Sequence, residues 1–96
     1  MISDEQIGEE IINAIYRIGG ERLDSASSRR IVAGFHSIRD NLPDELRRYD
    51  HRVMERLEVM VRDGTLTKQS GFPPGYETTE KSDERYKKIT KKEEAF

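Results

Sequence analysis

The fold of this chain is decided by a stretch in which helical spacing gives way to strand alternation, RLEVMVRDGTLTKQ at residues 56–69. Up to Val61 the apolar residues recur at the spacing of one helix face. Asp63-Gly64 ends this pattern, because glycine readily adopts the positive φ that follows a helix. The alternation and the threonines after Gly64 favour a strand. We therefore expect a helix over 43–63 that runs directly into a β-hairpin.

The remainder of the hairpin is predicted from the residues downstream. Ser70 to Gly75 is rich in glycine, proline and serine, which are the residues that form turns. Tyr76, Glu77 and Thr78 can then return as a second short strand. The sequence therefore predicts a two-stranded hairpin near 65–78 with a six-residue tip.

A last helix is expected after the hairpin. Thr79 is suited to cap it, and Tyr86 and Ile89 fall on one face at a spacing of three residues. The mostly charged residues 90–96 are expected to fray as a C-terminal tail. This organisation places one domain at 1–89.

Two helices are predicted upstream. Ser3 and Gln6 form a capping-box pattern before a run of regularly spaced isoleucines, which predicts a first helix over 4–18. An apolar stripe predicts a second helix over 27–39, with 21–26 as a short extended segment before it. The residues expected to be buried together are Ile11, Ile15, Ile31, Phe35, Val53 and Leu57.

Composition limits the class of protein. Ninety-six residues with 38% charged side chains make one domain with a thin core. There is no cysteine, so a disulfide framework and a thiolate metal site are excluded. No apolar run approaches the roughly 20 residues that span a membrane, and the start of the chain is acidic rather than signal-like. A soluble, cytoplasmic protein is the expectation.

The net charge of −2 is unevenly distributed. Residues 1–27 contain six acids and two arginines, whereas residues 28–62 contain eight arginines and six acids. Residues 63–96 contain seven of each sign. Residues 28–62 are therefore the one segment with an excess of basic over acidic residues. This excess permits contact with phosphate without requiring it.

The order helix, extended piece, helix, turn, helix, hairpin, helix resembles the winged helix-turn-helix fold. The stretch 56–66 is similar to the end of a recognition helix that enters the wing. Residues 76–82, YETTEKS, are similar to the exit from the wing in MarR-type and PadR-type transcriptional regulators. Those regulators often have a leucine where this chain has Thr78 and a glycine where it has Ser82. The resemblance covers residues 4 to about 89 and implies a mainly α fold with a small β-hairpin, the wing.

The resemblance implies double-stranded DNA as the partner and transcription regulation as the role. In that family the first half of the helix predicted at 43–63 enters the major groove. Arginines at the start of the preceding helix can meet phosphate, and polar residues of the wing can touch the DNA backbone. The candidate DNA-binding residues are Arg47, Arg48, His51, Arg52, Arg29, Arg30, Lys68 and Gln69.

Two alternatives remain open for this surface. The arginines can instead pair with neighbouring acids on an ordinary solvated helix face. The same fold can also serve as a protein-interaction module that does not bind DNA, which the net charge, the acids at 44 and 45 and the uncharged tip favour. The arginine bias and the wing exit favour DNA, which we take as the first hypothesis.

No enzymatic site, metal site or cofactor site is expected. His36 and His51 are the two histidines, and neither has an acid at a metal-like spacing. The serines at 25–28 have no nearby base that could activate them. Five isoleucines on the first helix present more apolar surface than one neighbour is expected to cover. We therefore expect a homodimer through the terminal helices, with a monomer whose last helix covers the first as the alternative.

Overall fold

The computed structural model describes residues 2–19, 30–71 and 74–94. Within them the chain is mostly helical, with five helices and a three-stranded antiparallel sheet. In chain order the elements are α1 (Asp4–Ile18), β1 (Val32–Gly34), α2 (Phe35–Asp40), α3 (Asp44–Arg47), α4 (Asp50–Arg62), β2 (Leu66–Gln69), β3 (Gly75–Thr78) and α5 (Glu80–Glu94).

The first helix is confirmed together with its cap. The amide of Gln6 donates to Ser3 Oγ at 3.2 Å, and the amide of Ser3 donates to Gln6 Oε1 at 2.9 Å. Two of the helix's otherwise unpaired donors are satisfied in this way. Asp4 and Glu5 lie in the first turn, where the helix dipole favours negative charge.

The second helix predicted over 27–39 is wrong for residues 30–34. Ile31 and Val32 are extended, and Val32–Gly34 forms β1 beside β3. The amide of Ile31 donates to Thr78 Oγ1, and the amide of Thr78 donates to the Ile31 carbonyl. The apolar spacing here fits a helix, but Ile31 and Val32 are β-branched and also favour a strand. Pairing with β3 decides between the two. The segment expected to be extended at 21–26, and residues 27–29, lie outside the described part of the chain.

The single helix predicted over 43–63 is also wrong, because it is divided at Arg48 and Tyr49. Tyr49 has φ −113° and ψ 51°, which are not helical. Neither residue lies on the buried stripe, so no tertiary packing holds this turn in the helical form. The division produces the short α3 and makes α4 a separate helix of 13 residues.

The hairpin is confirmed, and the sheet has one strand more than expected. Gly64 has φ 84° at the turn from α4 into β2, as its position after a helix predicts. The strand order is β1–β3–β2, with Ala33 opposite Tyr76 and Leu66 opposite Thr78. The central strand is therefore β3, which ties the hairpin to the segment that precedes α2.

The core lies between α1 and the elements around it. Ile11, Ile15, Val53 and Leu57 are fully buried, as expected. Ile31 and Phe35 are partly buried and pack against this cluster. The remaining buried hydrophobic residues come from every helix and from all three strands, including Leu46, Leu66 and Tyr76.

The last helix begins as expected and ends later. Ser82 N donates to Thr79 Oγ1 at 3.2 Å, and Thr79 N donates to Ser82 Oγ at 2.8 Å, so Thr79 caps α5. The helix continues to Glu94, which lies within the segment 90–96 expected to fray, and the fraying stays a prediction. Thr90 Oγ1 donates back to the Tyr86 carbonyl, which accommodates threonine inside the helix.

Candidate nucleic-acid interface

The turn between α3 and α4 and the start of α4 present two of the predicted DNA-binding residues at the surface. Arg48, just before the helix, is exposed and lines a cleft of about 380 Å3 together with Asp44 and Glu45. The side chain of His51 is 93% exposed, and its Nε2 lies 3.6 Å from Glu55 Oε1. Both side chains are accessible to a large ligand.

Arg47 is directed at the backbone of the preceding turn. Its Nε donates to the Leu42 carbonyl at 3.1 Å, and its Nη2 donates to the Asp40 carbonyl at 2.8 Å. Its Nη1 also lies 3.3 Å from the carboxylate of Asp44. A guanidinium satisfies carbonyls at the end of a helix well, so Arg47 holds α2 against α3.

Arg52 is directed at the start of the chain. Its Nη2 donates to the Ile2 carbonyl at 2.9 Å and to the Asp4 carboxylate at 3.1 Å. The side chain is one third exposed. Arg52 therefore joins α4 to the start of α1, and a phosphate would have to compete with Asp4 for it.

The hairpin residues are likewise engaged within the chain. Lys68 Nζ donates to Glu58 Oε1 at 2.9 Å, which fastens β2 to α4. The hydrogen bond to Glu58 and its charge raise the pKa of Lys68 above its usual value. Gln69 Nε2 donates to the carboxylate of Glu77 on the neighbouring strand. Lys68 and Gln69 both lie on β2, an edge strand of the sheet, and both are exposed.

Arg30 belongs to a polar network with residues of α1 and α5. Its Nη1 donates to Asp83 Oδ2 at 2.7 Å. The hydroxyl of Tyr16 donates to the other oxygen of Asp83 and lies 3.1 Å from Ser82 Oγ. Burial and the hydrogen bond to Asp83 raise the pKa of Tyr16 well above its usual value. Arg29, predicted with Arg30, lies outside the described residues.

The seven predicted residues that the structure describes are thus not gathered on one open surface. Arg48 and His51, three residues apart, have exposed side chains. The side chains of Arg47, Arg52, Lys68 and Gln69 each donate to a carbonyl or carboxylate of the same chain. Arg30 is turned toward α5. Pairing of an arginine with a neighbouring acid, the alternative interpretation of the sequence, is found for Arg47 and Asp44. Sequence reasoning could not find the contacts of Arg30 and Arg52, because their partners Asp83 and Asp4 are 53 and 48 residues away.

A second cleft was not predicted from the sequence. It measures about 490 Å3 between α1, α4 and α5, and Arg56 lines it above Gly8. A Cβ atom at position 8 would lie 3.0 Å from Arg56 Nε. The signal in the sequence is the glycine inside the first helix, since glycine there costs about 1 kcal/mol relative to alanine and suggests a close approach.

Among residues 2–19, 30–71 and 74–94, no group of three or more histidine and acidic side chains is placed to hold a metal ion. No helix in this part of the chain has the length and apolar character needed to cross a membrane. Comparison with protein-family models, with curated proteins and with solved structures gave no match.

Proposed function

We propose that the chain is a winged-helix protein that binds double-stranded DNA and regulates transcription. The first half of α4 enters the major groove, and the β2–β3 hairpin lies along the backbone as the wing. The observation that carries the proposal is the exposure of Arg48 and His51 at the start of the helix that runs into the hairpin.

The arrangement of elements supports the fold assignment within this proposal. A strand precedes α2, pairs with the second strand of the hairpin and completes a three-stranded sheet in the order β1–β3–β2. The helices α2 and α3 lie before α4, and the pair α2–α3 is fixed by Arg47. A turn fixed in this way, followed by a helix with one exposed face, is the geometry by which a helix-turn-helix protein presents a recognition helix.

The paired cations around α4 are compatible with phosphate contact. The side chains of Arg52 and Lys68 are 33% and 41% exposed, and exposed ion pairs contribute at most about 1 kcal/mol. Exchange of Asp4 or Glu58 for a phosphate therefore costs little. Arg52 and Lys68 would then add to the contacts that position the protein, while Arg48 and His51 would lie nearest the bases.

A second role, protein interaction without DNA, is favoured by one specific observation. Tyr49, Met54 and Val59 are large apolar residues of this helix region with exposures of 49%, 49% and 38%. Exposed apolar side chains on a helix suit a protein partner better than the phosphate backbone of DNA. The two roles differ in salt dependence, so one titration separates them.

The test is a fluorescence-polarisation titration of random duplex DNA at low and moderate salt. We expect saturable binding that weakens steeply as salt rises, because each phosphate contact releases counterions. Arg48→Ala should weaken it by about 1–3 kcal/mol if the residue contacts a base, or reduce the salt slope by about one if it contacts phosphate. Arg62→Ala, at the other end of α4, is the matched control and should bind nearly as the wild type. Absence of salt-dependent binding would reject the proposal.

The expected homodimer stays a prediction, but four of the five isoleucines of α1 from which it was predicted are buried within one chain. Ile7, Ile11, Ile12 and Ile15 are at most 1% exposed within one chain, in which α2, α4 and α5 all pack against α1. This arrangement favours the alternative in which the last helix covers the first. Light scattering at high micromolar concentration distinguishes a chain of 11.2 kDa from a dimer.

A further inference from the structure

One face of α4 points away from the core and carries polar side chains. The buried residues of this helix recur at the spacing of a single helix face, and they are Val53, Leu57 and Met60. The residue two positions before each of them lies about 200° around the helix, which places it on the opposite face. These residues are His51, Glu55 and Glu58. His51 and Glu55 belong to the first half of α4, so both face the bases when that half lies in the major groove.

The two acids of this face differ in how their charge is balanced. Glu58 Oε1 accepts a hydrogen bond from Lys68 Nζ at 2.9 Å, so a permanent cation neutralises it. The side chain of Glu55 is 70% exposed, and the one basic group within 4.0 Å of it among the described residues is His51, at 3.6 Å. Histidine is not a permanent cation, as lysine and arginine are. Glu55 therefore places an unbalanced negative charge on the surface proposed to face DNA.

This charge restricts which base pair Glu55 can face. The phosphates along the groove repel a carboxylate, so its position there is favourable only where a base donates a hydrogen bond to it. The donors in the major groove are the amino groups N4 of cytosine and N6 of adenine. Adenine also presents its acceptor N7 beside N6, whereas cytosine presents the donor alone. A carboxylate accepts hydrogen bonds but does not donate, so cytosine is its better match.

We propose that Glu55 is a specificity-determining residue of the DNA interface and that it accepts a hydrogen bond from N4 of a cytosine. The inference rests on the proposed function, because it requires the first half of α4 to lie in the major groove. Glu55 selects partly by repulsion, since DNA without a cytosine at this position leaves the carboxylate unpaired near the phosphates. The side chain therefore lowers the affinity for most sequences and spares those that contain the cytosine.

The test is a selection of binding sites from duplex DNA with a randomised centre, carried out with the full chain and with Glu55→Gln. We expect the wild-type sites to share a cytosine at one position. The Glu55→Gln sites should have adenine there, because a glutamine amide matches both N6 and N7 of adenine. All other selected positions should agree between the two proteins. An identical consensus for the two proteins would overturn the proposal.

Fluorescence polarisation then measures the preference on the selected duplex and on the same duplex with this C·G pair replaced by A·T. The wild type should bind the C·G duplex at least about tenfold more tightly, which corresponds to about 1.4 kcal/mol. Glu55→Gln should reverse the preference, and at low salt it should bind the random pool more tightly than the wild type, because it no longer repels phosphate. Equal tightening on every duplex would show an ordinary solvated acid and contradict the assignment.

Glu84→Gln makes the same change at an exposed residue of α5 and is the matched control. It should select the wild-type sites, and thermal unfolding of both variants shows that they are folded. The outcome for the wild type separates the two proposals. A wild type that selects no site and shows no salt-dependent binding overturns the proposed function together with this inference. A wild type that selects a site which Glu55→Gln selects unchanged overturns the role of Glu55 alone.

Discussion

The polar contacts between α1 and α5 and those around the first half of α4 differ in how exposed they are. Between α1 and α5, Tyr16 is 1% exposed, stacks on Tyr86 with ring centroids 4.3 Å apart, and hydrogen-bonds Ser82 and Asp83. Around the start of α4, Arg47 and Arg52 contact backbone carbonyls and the exposed acids Asp44 and Asp4. Buried polar contacts cannot be exchanged for water without cost, whereas exposed ones can. The first region is therefore suited to holding the fold and the second to exchanging partners.

The largest effect is expected in the core that both regions share. Leu57 is fully buried where α4 packs against α1, so Leu57→Ala should lower the free energy of unfolding by about 2–5 kcal/mol. Met54→Ala, on the exposed side of the same helix, is the control and should change it by less than about 0.5 kcal/mol. Urea denaturation measures both. Similar losses for the two variants would mean that α4 does not face the core through Leu57.

The next effect isolates the buried network. Tyr16→Phe keeps the stacked ring and removes the hydroxyl between Ser82 and Asp83. The free energy of unfolding should fall by about 1.5 kcal/mol, the lower end for a hydrogen bond to a charged group, because Asp83 keeps Arg30. Tyr49→Phe makes the same change on the exposed region and should have no measurable effect. Equal effects in urea denaturation would remove the distinction between the two regions.

Within the exposed region, Arg47 and Arg48 should differ although they are adjacent. Arg47→Ala removes hydrogen bonds to two carbonyls and should cost about 1 kcal/mol of stability. Arg48→Ala should alter stability by less than about 0.5 kcal/mol and act on DNA binding instead. Thermal unfolding of the two variants checks this expectation. A larger loss of stability for Arg48→Ala would show that the assigned roles are reversed.

The smallest effect is a pH dependence at the turn into the hairpin. Burial opposes ionisation of Asp63, but hydrogen bonds from Thr65 outweigh it and lower the pKa of Asp63 below its ordinary 3.8. As pH falls through 3.8, the unfolded chain takes up a proton before the folded chain does, so this contribution to stability is lost.

Asp63→Asn isolates this contribution, because the variant lacks the titrating group. The stability difference between the wild type and Asp63→Asn should be constant near neutral pH and should narrow below 3.8. Urea midpoints measured across this range provide the check. A difference that widens as pH falls would contradict the sign.

Elements marked by their own caps and turns could be predicted from the local sequence. The secondary structure of the other segments depends on long-range contacts. The box of Ser3 and Gln6 and the turn at Gly64 mark α1 and the start of the hairpin without reference to other segments. The strand β1 could not be separated from a helix, because its identity depends on pairing with β3, more than 40 residues away. The same limit applies to the site: the arginine cluster was visible in the sequence, but the carbonyls that Arg47 and Arg52 contact, and the distant Asp4 beside Arg52, were not.

The central claim, that the first half of α4 meets DNA, is tested most directly by neutralising an acid beside it. Glu45 and Arg48 line the same cleft, whereas Asp44 is unsuitable for this test because it contacts Arg47 at 3.3 Å. Removing this negative charge raises the local potential without disturbing that contact. The measurement is the affinity of Glu45→Gln and wild type for the same DNA duplex by fluorescence polarisation at low and moderate salt. We predict that Glu45→Gln binds more tightly, with the difference shrinking as salt rises. Unchanged or weaker binding at low salt would contradict DNA contact by this surface.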